Sequence, residues 1–157
     1  MELIGKPPIN PLLFYTGKIS GYITWFVFIY ALVEDSFCRG ISFNYNEILA
    51  ISLFALGLLF SVISILNIGS SIRLGLPNED TVLKSKGIYR ISRNPMYVGF
   101  GLFTISSMIY TMNYTIIALG LFSLVVYHLI IKSEEKFLLN RFGDDYEVYR
   151  KKVRRYL

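Results

Sequence analysis

Between Ile48 and Ile72 the chain carries no charged side chain, and most of its residues are leucine, isoleucine, alanine or valine. About 20 such residues suffice for a helix to cross the ~30 Å hydrocarbon layer of a bilayer. Lipid offers the backbone no hydrogen bonds, so only a helix or a closed barrel satisfies every N–H and C=O there. A barrel strand alternates apolar and polar residues. This run is apolar throughout, and a membrane-spanning helix over 48–68 follows.

Three further runs extend the pattern. Leu12 to Val33 is long enough to span, with Lys18 near one end and able to snorkel. The runs 96–112 and 114–131 are separated by Asn113, which predicts a tight helical hairpin. The first of these two is short for a full crossing. Mean hydropathy of +0.49 and 54% hydrophobic residues agree with a chain solvated largely by lipid. The expectation is an all-α, polytopic membrane protein of about four spans in a single domain. No signal peptide is visible, so the first run is expected to remain in the mature chain.

Lysine and arginine orient it. The loop from Glu34 to Glu47 holds Arg39 against three acids, whereas Arg73, Lys84, Lys86, Arg90 and Arg93 follow the second run and eight more cations follow Ile131. The positive-inside rule places both termini in the cytoplasm. The membrane is the cell membrane in a prokaryote or the endoplasmic reticulum in a eukaryote. The tail is expected to form cytoplasmic amphipathic helices over 132–142 and 144–156, broken at Gly143. In the second, Tyr146, Tyr149, Val153 and Tyr156 share a face opposite Arg150, Lys151, Lys152, Arg154 and Arg155. Membrane lipids are the implied contact, and nothing suggests nucleic acid. Gly17 and Gly21 form a GxxxG, suited to packing within the chain or to a homodimer seam.

No metal site is expected from one histidine and one cysteine, and Cys38 reads as a small apolar filler. P-loop, GxGxxG, HExxH and GxSxG patterns do not occur. Polar residues collect instead at one membrane face. GIYRISRNPMYVG, from Gly87 to Gly99, adjoins the start of the third run, and Glu134–Glu135 lies where the fourth emerges. Pro95 suits the first position of a helix with Asn94 as its cap. Arg90 and Arg93, three apart, are close enough to address one anion. His128 lies inside the fourth run, where an ionisable group is a functional candidate. A neutral imidazole bonded to a neighbouring helix is the simpler account.

Four segments in order, SSIRLGLP, TVLKSKGIYRISRNPMYVG, EEKFLL and FGDDYEVYRKKV, make the chain resemble the isoprenylcysteine carboxyl methyltransferase family and related phospholipid methyltransferases. The resemblance runs from about Asn67 to Leu157. It implies S-adenosylmethionine in a cytoplasm-facing pocket between the last two spans and the tail, and methyl transfer to a lipophilic acceptor in the membrane. That acceptor is a prenylcysteine-like carboxylate or a lipid head group. The implied cofactor shell begins with Val82, Leu83, Lys84 and Tyr89. It continues with Asn94, Pro95, Met96 and Tyr97, and closes with Glu134. Tyr97, Arg93 and Glu135 stand as catalytic candidates, and Arg90, Ile130 and His128 as acceptor-binding ones. Two positions depart from the family. Asn94 replaces a histidine, and Ile130 stands where animal-type prenylcysteine methyltransferases carry an arginine that grips the substrate carboxylate. The second departure predicts poor use of prenylcysteine. Membrane sterol reductases, which bind NADPH, resemble the same C-terminal part and supply the alternative, with Arg90 and Arg93 as phosphate ligands. A non-enzymatic membrane adaptor is the third reading.

Overall fold

The computed structural model describes residues 7–38, 44–68 and 82–157. SSIRLGLP and the start of the segment that follows it lie outside these residues. The described residues form five α-helices: α1 (Pro11–Cys38), α2 (Tyr45–Ile68), α3 (Pro95–Thr111), α4 (Tyr114–Phe142) and α5 (Asp144–Lys152), with a short 3-10 turn at Gly87–Arg90 before α3. No strand is present among the described residues.

Local chemistry sets the helix starts. The Asn10 side chain accepts from Leu12 N at 2.9 Å, ahead of Pro11 in the first turn of α1. Asn44 and Glu47 cap α2 reciprocally: Asn44 Oδ1 accepts from Glu47 N at 3.0 Å, and Glu47 Oε2 accepts from Asn44 N at 2.9 Å. This box starts α2 three residues ahead of the expected span. At the hairpin, Met112 takes a left-handed conformation (φ 46°), and Asn113 caps α4 by accepting from Thr115 N and Ile116 N.

α1, α2 and α4 are each long and apolar enough to cross a membrane. α3, with 17 residues, is not, at about 25 Å of helix. It lies at the centre of the bundle, touching α1, α2 and α4. Hydroxyls fasten it there: Ser106 Oγ donates to the Ala50 carbonyl and Ser107 Oγ to the Thr24 carbonyl, both at 2.6 Å, and Trp25 Nε1 donates to Thr104 Oγ1 at 3.0 Å. Large apolar side chains such as Phe26 and Leu66 point outward, as a lipid-facing surface requires. The chain is an integral, multi-pass membrane protein.

The structure corrects several expectations. The fourth span and the first tail helix are one continuous helix, because residues 132–142 present no breaker before Gly143. The second tail helix ends at Lys152, and Val153 is extended. Gly17 and Gly21 face α4: a Cβ at Gly17 would overlap the Val126 side chain, and one at Gly21 the Tyr127 hydroxyl and Ser123. The glycine pair therefore serves the α1–α4 seam and is not open to a second copy. Cys38 is exposed at the end of α1, so it fills no core.

Candidate active site

The hairpin returns α4 to the face where α3 begins, and this brings the two polar segments together. Tyr97, in the first turn of α3, donates its hydroxyl to Glu134 Oε1 of α4 at 2.8 Å. Both side chains are half-buried. Glu134 has no other hydrogen-bond partner among the described residues. Tyr97 packs in turn against Phe100 and Tyr127, which wall the site on the bundle side.

Glu135 faces elsewhere, since adjacent helical residues point about 100° apart. Its Oε1 accepts from Arg93 Nη2 at 2.9 Å and Nε at 3.0 Å, and its Oε2 accepts from Arg155 Nη2 at 2.8 Å and Nε at 3.0 Å. Asn94 Nδ2 also donates to Glu135 Oε1 at 3.1 Å and to the Arg155 carbonyl at 3.2 Å. Asn94 occupies the cap position of α3, yet its side chain makes no capping bond, because it is engaged by this cluster. Arg93 also donates from Nη1 to the Arg150 and Val153 carbonyls. These bonds draw the chain after α5 across the turn as a strap. Arg93 N donates to the Arg154 carbonyl, and Ser92 Oγ to the Arg155 carbonyl. The hydrogen bond to Glu135 raises the Arg155 pKa further above its ordinary value.

Tyr89 anchors the turn from below. Its hydroxyl pairs with Ser64 Oγ of α2 at 3.1 Å, and its carbonyl accepts from the Tyr149 hydroxyl at 2.7 Å. Burial pushes the Tyr146 phenol up to about 12 and the Tyr149 phenol higher still, so both remain neutral packing groups at neutral pH. Gly87 sits at φ +62°, and a Cβ there would overlap the Asn67 side-chain amide. Only glycine suits that position.

The remaining candidates divide. Pro95 is buried, Met96 half-buried beside Tyr97, and Leu83 half-buried, while Val82 and Lys84 are exposed. Arg90 is exposed and does not join Arg93, which is turned to Glu135. Ile130 is fully buried with Phe14, Val126 and Tyr127 in the α1–α4 core. His128 Nδ1 pairs with the Tyr156 hydroxyl at 2.6 Å and so holds the end of the strap. Sequence reasoning missed Arg155 and Ser92 as strap contacts and Tyr127 as a wall. Arg155 looked like one more residue on a basic face, and no local signal marks it as Glu135's partner.

A buried hairpin whose two ends meet at a phenol–carboxylate pair, under a strap of arginine contacts, defines a small polytopic membrane protein with a polar site at one end of its bundle. A family model described as phospholipid methyltransferase matches residues 45–145, well over half of the chain, and the chain belongs to that family. It is similar to the protein-S-isoprenylcysteine O-methyltransferase of Schizosaccharomyces pombe, at 40% identity over 79 residues, 48% of this chain and 33% of that protein. The enzyme of the same name from Dictyostelium discoideum is 36% identical over 76 residues, 48% of this chain and 32% of that protein. The solved structure of a eukaryotic intramembrane Ras methyltransferase, an isoprenylcysteine carboxyl methyltransferase, aligns with a TM-score of 0.66 at 28% identity, covering 92% of this chain and 52% of that one. The chain thus spans about a third of the length of these curated relatives.

Proposed function

We propose that the protein transfers a methyl group from S-adenosylmethionine to the carboxylate of a prenylcysteine-type amphiphile held in the membrane. The observation that carries this reading is the Tyr97–Glu134 pair at the meeting point of α3 and α4, in a chain similar to isoprenylcysteine methyltransferases. The donor set fits the cofactor. Glu134 keeps one carboxylate oxygen for a ribose hydroxyl or an ammonium, and Tyr97, Tyr127 and Phe100 offer apolar and aromatic surface. Asn94, Pro95 and Met96 complete the shell on the α3 side, with Val82, Leu83, Lys84 and Tyr89 from the preceding segment.

When bound, the cofactor supplies an electrophilic methyl group on a positively charged sulfonium. An acceptor carboxylate, with a pKa around 4, is already ionised at neutral pH, so no residue here has to remove a proton. The work left to the chain is alignment and exclusion of water. Tyr97 orients Glu134. Arg93 and Glu135, engaged with each other, act by holding the turn and the strap, not by touching reacting atoms. Ile130 is packed in the α1–α4 core, and the prenylcysteine acceptor is favoured by the similarity to the two curated relatives; on this reading a group other than residue 130 holds its carboxylate. The family match and both curated relatives favour methyl transfer over the reductase reading.

The test is retention of radiolabelled cofactor by the purified protein in detergent, followed by transfer of label to S-farnesylcysteine. Retained S-adenosylmethionine and a labelled methyl ester are the expected results. Retention of NADPH in its place would overturn the reading.

A further inference from the structure

Contacts fix the register of α1 against α4. Gly21 lies against Ser123 and Tyr127, and Gly17 against Val126. Phe14 packs in the cluster with Ile130, and Ser133 Oγ donates to the Pro8 carbonyl. Lys18 belongs to this ladder. Its side chain turns back by one helical turn, and Nζ lies 4.1 Å from the centroid of the Phe14 ring. The ammonium therefore stands at the level of Ile130 to Glu134, within electrostatic reach of the Glu134 carboxylate.

Lys18 forms no ion pair among the described residues, and it is half-buried. The neighbouring cations are otherwise engaged or exposed: Arg93 and Arg155 hold Glu135, Arg150 and Lys151 approach Glu147, and Arg90 and Lys132 are exposed. Glu134 is near enough to act on the ammonium but not in ion-pair contact with it, so this half-buried cation keeps part of its desolvation cost. An aromatic face offsets only part of that cost. Tyr15, Ile19 and Tyr22 flank Lys18 and are exposed on the outer side of α1, so apolar surface continues from the ammonium into lipid.

We infer that Lys18 is an acceptor-binding, specificity-determining residue: its ammonium receives the carboxylate of the amphiphile, whose apolar part lies along Tyr15, Ile19 and Tyr22 in the membrane. This inference rests on the methyltransferase reading of the Tyr97–Glu134 site and names its acceptor subsite. α1 lies outside the matched family region, so the subsite belongs to a part of the chain that the motif series does not cover.

The experiment compares equilibrium binding of S-farnesylcysteine with that of its uncharged carboxamide, for the wild type, Lys18→Gln and Lys18→Arg. The same three proteins are titrated with S-adenosylhomocysteine. The wild type should prefer the carboxylate roughly tenfold, as a hydrogen bond to a charged group allows. Lys18→Gln should lose that preference, Lys18→Arg should keep it, and all three should bind S-adenosylhomocysteine alike, which also reports that each is folded. A preference that survives in Lys18→Gln, or a wild type with no preference, overturns the inference. So does a Lys18→Gln variant that loses S-adenosylhomocysteine binding while keeping the preference, because Lys18 would then serve the cofactor side. Failure of the wild type to bind S-adenosylhomocysteine overturns the methyltransferase reading instead, and the carboxylate preference still decides the role of Lys18.

Discussion

Glu134 and Glu135 are chemically identical neighbours with opposite duties, and the difference is only the direction in which each leaves α4. Among the described residues Glu134 meets a single phenol and keeps an oxygen free of hydrogen bonds, whereas Glu135 is closed by two arginines and an amide. Glu134→Gln should therefore weaken S-adenosylhomocysteine binding by about 1.5–3 kcal/mol, roughly one to two decades in dissociation constant, with little change in thermal stability. Tyr97→Ala should weaken it as well, by removing a wall, and with less dependence on salt. Glu135→Gln should show the reverse pattern. It leaves Arg93 and Arg155 without a charged partner and should cost about 1–3 kcal/mol of stability, read as a lowered Tm in detergent. Titration calorimetry and thermal unfolding of the three variants in one detergent separate these outcomes. Equal cofactor affinity for Glu134→Gln and wild type would remove Glu134 from the proposed site.

At the scale of elements, two joints hold the site in place. One is the α1–α4 seam, where Gly21 permits an approach that a side chain would block. Gly21→Leu should separate the helices and lower Tm by several degrees, in line with overpacking costs of about 1–3 kcal/mol. The other joint is the strap after α5. Its sequence spacing predicts a helix through Tyr156, but hydrogen bonds from Arg93, Ser92 and Asn94 take up the backbone carbonyls of residues 153–155, and helix stops at Lys152. Arg155→Leu should release one side of the Glu135 cluster. Hydrogen exchange should then rise across residues 153–157 and at the 87–94 turn, while the α2–α3 contact keeps its protection. Unchanged exchange at the turn would mean that the strap does not brace it.

On the scale of the whole molecule, the bundle is asymmetric. Cations and the candidate site gather where α3 begins and α4 ends, while the opposite end carries Glu34, Asp35 and Glu47 near Cys38. The proposed orientation puts the basic end and both termini in the cytoplasm. Cys38, exposed at the end of α1, should then react with a membrane-impermeant thiol reagent added to intact cells. Labelling only after permeabilisation would reverse the orientation. The sequence by itself determined the helical membrane architecture, the tight hairpin at Asn113 and the turn before Pro95, because hydropathy, capping and proline geometry act over a few neighbouring residues. It also marked Tyr97 and the Glu134–Glu135 pair as polar groups gathered at one face. The tertiary structure alone decided which acid meets the phenol and which meets the arginines, that Ile130 is core, that the glycine pair is internal, and that Lys18 reaches the level of Glu134. Those outcomes depend on partners far apart along the chain, such as Arg93 with Glu135 or Phe14 with Ile130. Helical periodicity states which residues share a face, but the register between helices settles what each face meets, and that register emerges only when the whole bundle packs.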